Sequence, residues 1–151
     1  MSLEPANPAV SLLGLEGAGL LAALHAASFE RGWSEAEIRD LLASPGVRAV
    51  VMSEEGEPAG FALIRAIAGE AELLTLCVRP QFRRTGLGEA LLQSAETTAA
   101  AQGAQRLFLE VSAANEAAIG LYSRAGYRTS GRRKGYYRDG SDAVLMDKPL
   151  G

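Results

Sequence analysis

The sequence has one cysteine, Cys77, and one histidine, His25, among 151 residues. A single cysteine excludes an internal disulfide framework, and together the two residues are too few for a structural zinc site. Only carboxylates remain to hold a metal, and no metal is expected. No apolar run reaches the roughly 18 residues of a membrane span, and no cationic segment followed by an apolar one opens the chain. A soluble, cytoplasmic protein with no membrane partner is therefore expected. Repeats at periods of about 20–50 residues are absent, as are low-complexity linkers. What is present is a chain of one-domain size, 48% hydrophobic and 22% charged, enough to bury a core. Residues 1–151 are read as a single domain.

The net charge of −3 conceals an uneven split. Residues 1 to 75 carry 4 arginines against 11 acids, whereas residues 76 to 151 carry 11 lysines and arginines against 7 acids. An excess of positive charge confined to one half suggests an anionic ligand there, not general nucleic-acid binding.

Hydrophobic spacing predicts a short strand at Val10 to Leu13 and a helix from Glu16 to Phe29. Ser34 and Glu37 form a capping box that opens a second helix, which Pro45 and Gly46 close. Strand-like runs at Val47 to Met52 and Ala59 to Ile67 flank a polar turn, and a third follows at Ala71 to Val78. A long helix from Gly86 to Gln102 ends at Gly103. After it, Gln105 to Ser112 is almost continuously apolar and is expected to be a strand buried on both faces. A helix at Asn115 to Arg124 and a last hairpin, Tyr127 to Lys134 with Ala143 to Lys148, complete a mixed α/β order, β α α β β β α β α β β, with one strand-helix-strand crossover. Gly120 lies inside the helix that ends at Arg124, at a cost of about 1 kcal/mol relative to alanine.

Arg83-Arg84-Thr85-Gly86-Leu87-Gly88 lies between the third of these strands and the long helix. Glycines there let a ligand approach the backbone, and the free N–H groups of the first helical turn, backed by two arginines, suit a pyrophosphate. The alternative is a glycine-softened helix start with two solvated arginines. A dinucleotide fingerprint is disfavoured, because Leu91 stands where a small residue is required and no acid follows about 20 residues on.

The segment Val78 to Leu92, through this loop, resembles the acyl-CoA signature of the GNAT N-acetyltransferases, Arg/Gln-x-x-Gly-x-Gly/Ala. A second block, Leu109 to Tyr127, with Glu110, Asn115 and Tyr122, is similar to the RimI-like branch of that family, whose members acetylate the N-terminal alanine of a small-subunit ribosomal protein. Trp33-Ser34, Tyr136-Tyr137 and Asp142 to Met146 look like the same branch, although the loop from Arg138 to Ser141 is shorter than is usual there. The resemblance implies a GNAT fold, a mostly antiparallel mixed sheet with a central crossover and flanking helices, and acetyl-CoA as co-substrate. It implies that Leu76, Cys77 and Val78 line the pantetheine arm, with Arg83, Arg84, Thr85, Gly86, Leu87, Gly88 and Glu89 at the pyrophosphate and Asn115 further along. Glu110 then matches the base and Tyr122 the acid. The partner implied is a ribosomal protein N-terminus, with no direct nucleic-acid contact, for a monomer or weak dimer. Another protein terminus, a small amine, or a non-catalytic acyl-CoA-binding module are the other readings.

An ammonium has no lone pair with which to attack a thioester, so the transfer needs a base. Glu110 is the one ionisable group in Leu107-Phe108-Leu109-Glu110-Val111; taken alone, it is equally a solvated or arginine-paired carboxylate at a strand end. Tyr122 has a phenolic proton to give, and its other reading is core packing. Cys77 has no activating neighbour in sequence, so it is read as a packed strand residue and not as a nucleophile. Trp33, Tyr136 and Tyr137 are expected walls of an acceptor cleft, and Arg132, Arg133 and Lys134 a solvated face that can also meet an anion.

Overall fold

A computed structural model describes residues 9–14, 17–28, 32–83 and 85–151. The elements follow the expected order: β1 (Ala9–Leu13), α1 (Ala18–Ser28), α2 (Glu35–Ala43), β2 (Val47–Glu54), β3 (Glu57–Ile67), β4 (Glu70–Val78), a 3-10 turn (Pro80–Phe82), α3 (Leu87–Ala101), β5 (Arg106–Ser112), α4 (Glu116–Arg124), β6 (Arg128–Arg133) and β7 (Ala143–Pro149). Ser34 caps α2 by accepting from the Glu37 N–H at 3.1 Å, and the Glu37 carboxylate accepts in return from the Ser34 N–H.

The strands form one sheet of seven, in the order β1-β2-β3-β4-β5-β7-β6. Every pairing is antiparallel except β4 with β5, the pair that the α3 crossover joins. Side chains alternate between the two faces. One face supplies Ile64, Leu73, Leu107 and Leu109 to a core closed by Leu91, Leu92 and Ala95 of α3 and Tyr122 of α4. The other supplies Ala49, Val51, Phe61, Leu63 and Cys77 to a second core under Leu21 of α1 and Ile38 of α2.

Two departures from simple layering make the site. First, β4 and β5 pair only at Glu70 with Arg106, Ala71 with Leu107 and Glu72 with Phe108. Beyond this point β4 stays with β3 as far as Val78, while β5 stays with β7 as far as Ser112. A register shift at Leu63/Ile64, where Thr75 and Leu73 are the successive partners, inserts Leu74 into β4 and bends the strand at the point of divergence.

Second, among the side chains described, the α1–α2 core takes residues from β2, β3 and β4 and none from β5. On that face β5 is bare, so the expectation of a strand buried on both sides is corrected. Leu107, Leu109 and Val111 are buried, but Glu110 is exposed and Phe108 only half-buried. An apolar run signals burial, and its length does not reveal that the covering helices stop short.

Candidate active site

On the α3–α4 side, the divergence opens onto a groove of about 560 Å³ lined by Val78, Arg83, Gly86, Gly88, Leu121 and Arg124, among others. Gly86 precedes α3 at φ +82°, a left-handed conformation that side chains oppose. No side chain caps α3, so its first-turn N–H groups face the groove with only a ligand or water to satisfy them. Thr85 Oγ1 donates to the Phe82 carbonyl at 2.6 Å, and Arg83 Nε donates to the Val78 carbonyl at 3.1 Å, tying the loop to the end of β4. Arg84 lies outside the described residues.

The remaining expected contacts divide by what they can offer. Leu87 sends its side chain into the core, leaving only its backbone for a ligand. Glu89 pairs across the groove with Arg124 at 3.5 Å. Asn115 caps α4, its Oδ1 accepting from the Ala118 N–H at 3.1 Å, so its amide nitrogen is what remains to offer. Leu76 and Val78 pack against the α3–α4 core, and Cys77 turns into the opposite one. Arg124 was not singled out from sequence, because a basic residue in a last helical turn reads as a complement to the helix dipole.

Gly88 separates cradle from scaffold. A Cβ there would lie 3.6 Å from Leu121, ordinary contact, so alanine fits. Gly88→Ala is expected to leave the thermal midpoint unchanged or slightly higher, since alanine is favoured in helices by up to about 1 kcal/mol. Its methyl group enters the groove, and calorimetry should show acyl-donor affinity about tenfold weaker, a loss of about 1.4 kcal/mol.

On the other face of the sheet, Glu110 lines a groove of about 440 Å³ with Arg65, Glu72, Phe108, Leu145 and Arg133. Its Oε1 lies 3.4 Å from Arg133 Nη2. The loop between β6 and β7 is held by Asp142, which accepts from Arg132 at 2.9 Å and from the Gly135 N–H at 3.0 Å; these bonds keep its carboxyl below the usual carboxylate range. Ser141 ties the same loop to β5 through Ser112 at 2.8 Å. So anchored, the loop carries Tyr136, exposed, and Tyr137, half-buried, edge to face at 5.1 Å.

Burial raises the pKa of Tyr137, with a smaller contribution from the Glu110 charge. Tyr122 is buried on α4 against Tyr127, and burial above all, with smaller contributions from Cys77 and Tyr137, pushes its phenol up to about 12. Burial likewise pushes the Cys77 thiol up to about 12, so it stays a protonated, enclosed thiol. Trp33 is half-buried on the α1–α2 side, its ring stacked on His25 at 4.5 Å and 14°.

The sequence of residues 20–127 matches the model of the acetyltransferase (GNAT) family. The chain belongs to the GNAT acetyltransferase family. It is 34% identical over 140 residues to a putative ribosomal protein bS18-alanine N-acetyltransferase of Bacillus subtilis, covering 91% of this chain and 93% of that one. To the ribosomal protein bS18-alanine N-acetyltransferase of Escherichia coli it is 37% identical over 102 residues, 66% of this chain and 69% of the relative. The crystal structure of the ribosomal-protein-S18-alanine N-acetyltransferase from Escherichia coli superposes with a TM-score of 0.88 at 29% identity, covering 96% and 95% of the two chains.

In this acetyltransferase His25 holds the α1–α2 side in place. Its Nδ1 accepts the Trp33 N–H at 2.9 Å, and burial, opposed in part by Glu37, lowers its pKa below 6.5. Well above 6.5 the imidazole is neutral in both folded and unfolded chains and contributes no pH dependence. Below it the unfolded chain takes up the proton first, so stability falls with pH and levels off once the folded residue is also protonated. Thermal melts from about pH 7 to about pH 5 should show a steeper loss for the native chain than for His25→Gln. Parallel curves would remove His25 as the cause.

Proposed function

We propose that this enzyme transfers the acetyl group of acetyl-CoA directly to the N-terminal alanine amine of a ribosomal protein, with Glu110 as base and Tyr122 as acid. The observation that carries the reading is the arrangement of the block from Leu109 to Tyr127: Glu110 stands on one face of the splayed sheet at β5, and Tyr122 lies buried on α4 against the other. The names of relatives that span most of the chain point to the same acceptor.

The residues fit the donor. The uncapped start of α3, the left-handed Gly86 and the open Gly88 form a cradle for a pyrophosphate, and Arg83 and Arg124 supply cations beside it. Val78, at the end of the diverging stretch of β4, lines the groove, and Leu76 packs on the same side of the sheet. The donor supplies an electrophilic thioester. Glu110 takes a proton from the acceptor nitrogen as the free amine attacks, directly or through a water, and Tyr122 gives its phenolic proton to the departing sulfur. An acyl-enzyme on Cys77 is disfavoured, because a thiol titrating at about 12 presents almost no thiolate near neutrality. Tyr136 and Tyr137 form one wall of the acceptor cleft, and Trp33 supports the α1–α2 side of it.

The test is a panel of peptides beginning with Ala, Ser, Gly or Met, together with small amines, assayed for CoA release and checked by mass spectrometry. Comparing cellular N-termini with and without the protein then identifies the acceptor. Preference for alanine-started ribosomal termini is expected. Turnover of small amines alone would replace the acceptor, and tight donor binding without turnover of any amine would make the protein a sensor.

A further inference from the structure

The contact between Arg133 and Glu110 has no part in the scheme above. Arg133 stands at the end of β6, and its guanidinium lies 3.4 Å from the Glu110 carboxylate and 5.4 Å from the centre of the Tyr136 ring. An ammonium is a cation that seeks the Glu110 oxygens, and one that binds there hands the base its proton before the nitrogen can attack. In the resting enzyme a cation is already there.

We propose that Arg133 makes acceptor binding selective for the unprotonated amine, by holding at Glu110 the position that an ammonium would otherwise take. This rests on Glu110 as the base of the reaction proposed above, though not on the identity of the amine. A protonated acceptor must either displace the guanidinium onto the Tyr136 face or lie beside a like charge, whereas a neutral amine pays neither cost. The other charged groups lining this groove are Arg65 from β3 and Glu70 and Glu72 from β4, and from the β6–β7 loop the Tyr136 ring lies against the Arg133 guanidinium with Tyr137 edge to face beside it. Among the described residues, Arg133 is the only cation within ion-pair distance of Glu110. Arg132, its neighbour, is spent on Asp142. The pair is solvent-accessible, with side-chain exposures of 55% and 29%, so a modest effect is expected.

The experiment is steady-state kinetics of Arg133→Gln, Arg133→Lys and the native enzyme on the best amine of the panel, from about pH 6 to about pH 9. Near neutrality Arg133→Gln should lower the acceptor KM by about twofold to fivefold, the size of an exposed ion pair. Its kcat should fall by a similar factor, because more of the amine binds protonated, and kcat should reach its plateau at higher pH. Arg133→Lys, which keeps the charge, should follow the native enzyme, and thermal melts of all three should coincide. A raised KM in Arg133→Gln, unchanged constants, or a lysine variant that behaves like glutamine would each overturn the inference. Full activity in Glu110→Gln would overturn the assignment of the base, and this inference with it. Loss of activity in Glu110→Gln alongside native constants in Arg133→Gln would overturn the inference alone.

Discussion

Glu110→Gln should lower kcat by about 10²- to 10⁴-fold, the usual contribution of a positioned base and equivalent to about 3–5 kcal/mol of barrier. Glutamine matches the carboxylate in shape but has no site that accepts a proton from the attacking nitrogen. The side chain stands exposed on β5, and its ion pair with Arg133 is of the kind worth about 0–1 kcal/mol, so the fold should be almost unaffected. The donor groove opens on the α3–α4 side, lined by residues of the β4–α3 loop and α4, and donor affinity measured by calorimetry should be unchanged. The diagnostic pattern is therefore a collapse in turnover with native donor binding and native melting. A near-native rate on an alanine-started peptide would remove Glu110 from the chemistry.

Tyr122→Phe should lower kcat by about 10²-fold or more, the lower end of what a general acid contributes. It should do so with little cost in stability. The ring is buried in the α3–α4 core, edge-on to Tyr127 at 5.9 Å, and phenylalanine keeps that packing. Because burial pushes the phenol up to about 12, Tyr122 keeps its proton throughout the working range of pH and contributes no ionisation to a profile near neutrality. The variant should thus lose rate equally across that range. An acetyl donor whose thiol is more acidic needs less help in leaving, and with such a donor the defect should shrink. A melting temperature that falls while activity is spared would make Tyr122 a packing residue only.

The order of elements was legible in the sequence because each boundary rests on local chemistry: the Ser34–Glu37 box, the left-handed glycine before α3, and Gly103 at φ +90° after it. The block from Leu109 to Tyr127 is what singled out Glu110 and Tyr122 for the roles proposed above. What the sequence did not show depends on contacts distant in the chain. The strand from Gln105 to Ser112 read as buried on both faces because nothing local records that, among the side chains described, α1 and α2 cover β2, β3 and β4 but not β5. Asn115 read as a ligand contact, and its side chain also caps a helix. His25 and Trp33, eight positions apart, stack where α2 packs beside α1, a contact that no local pattern records. Arg133 read as solvated, and its partner lies on a strand that is not even its neighbour, since β7 intervenes.

The placement of β6 has one more consequence. The sheet ends on this strand, and an end strand presents unpaired N–H and C=O groups on which another chain can build. Arg128, Arg132 and Arg133 are all exposed along it, and the ladder is irregular between Thr129 and Gly131. A strand adding here would meet a kinked edge lined by long arginine side chains, two of them, Arg132 and Arg133, already held by Asp142 and Glu110. The arginine that faces the proposed base thus also borders the edge at which the sheet stops.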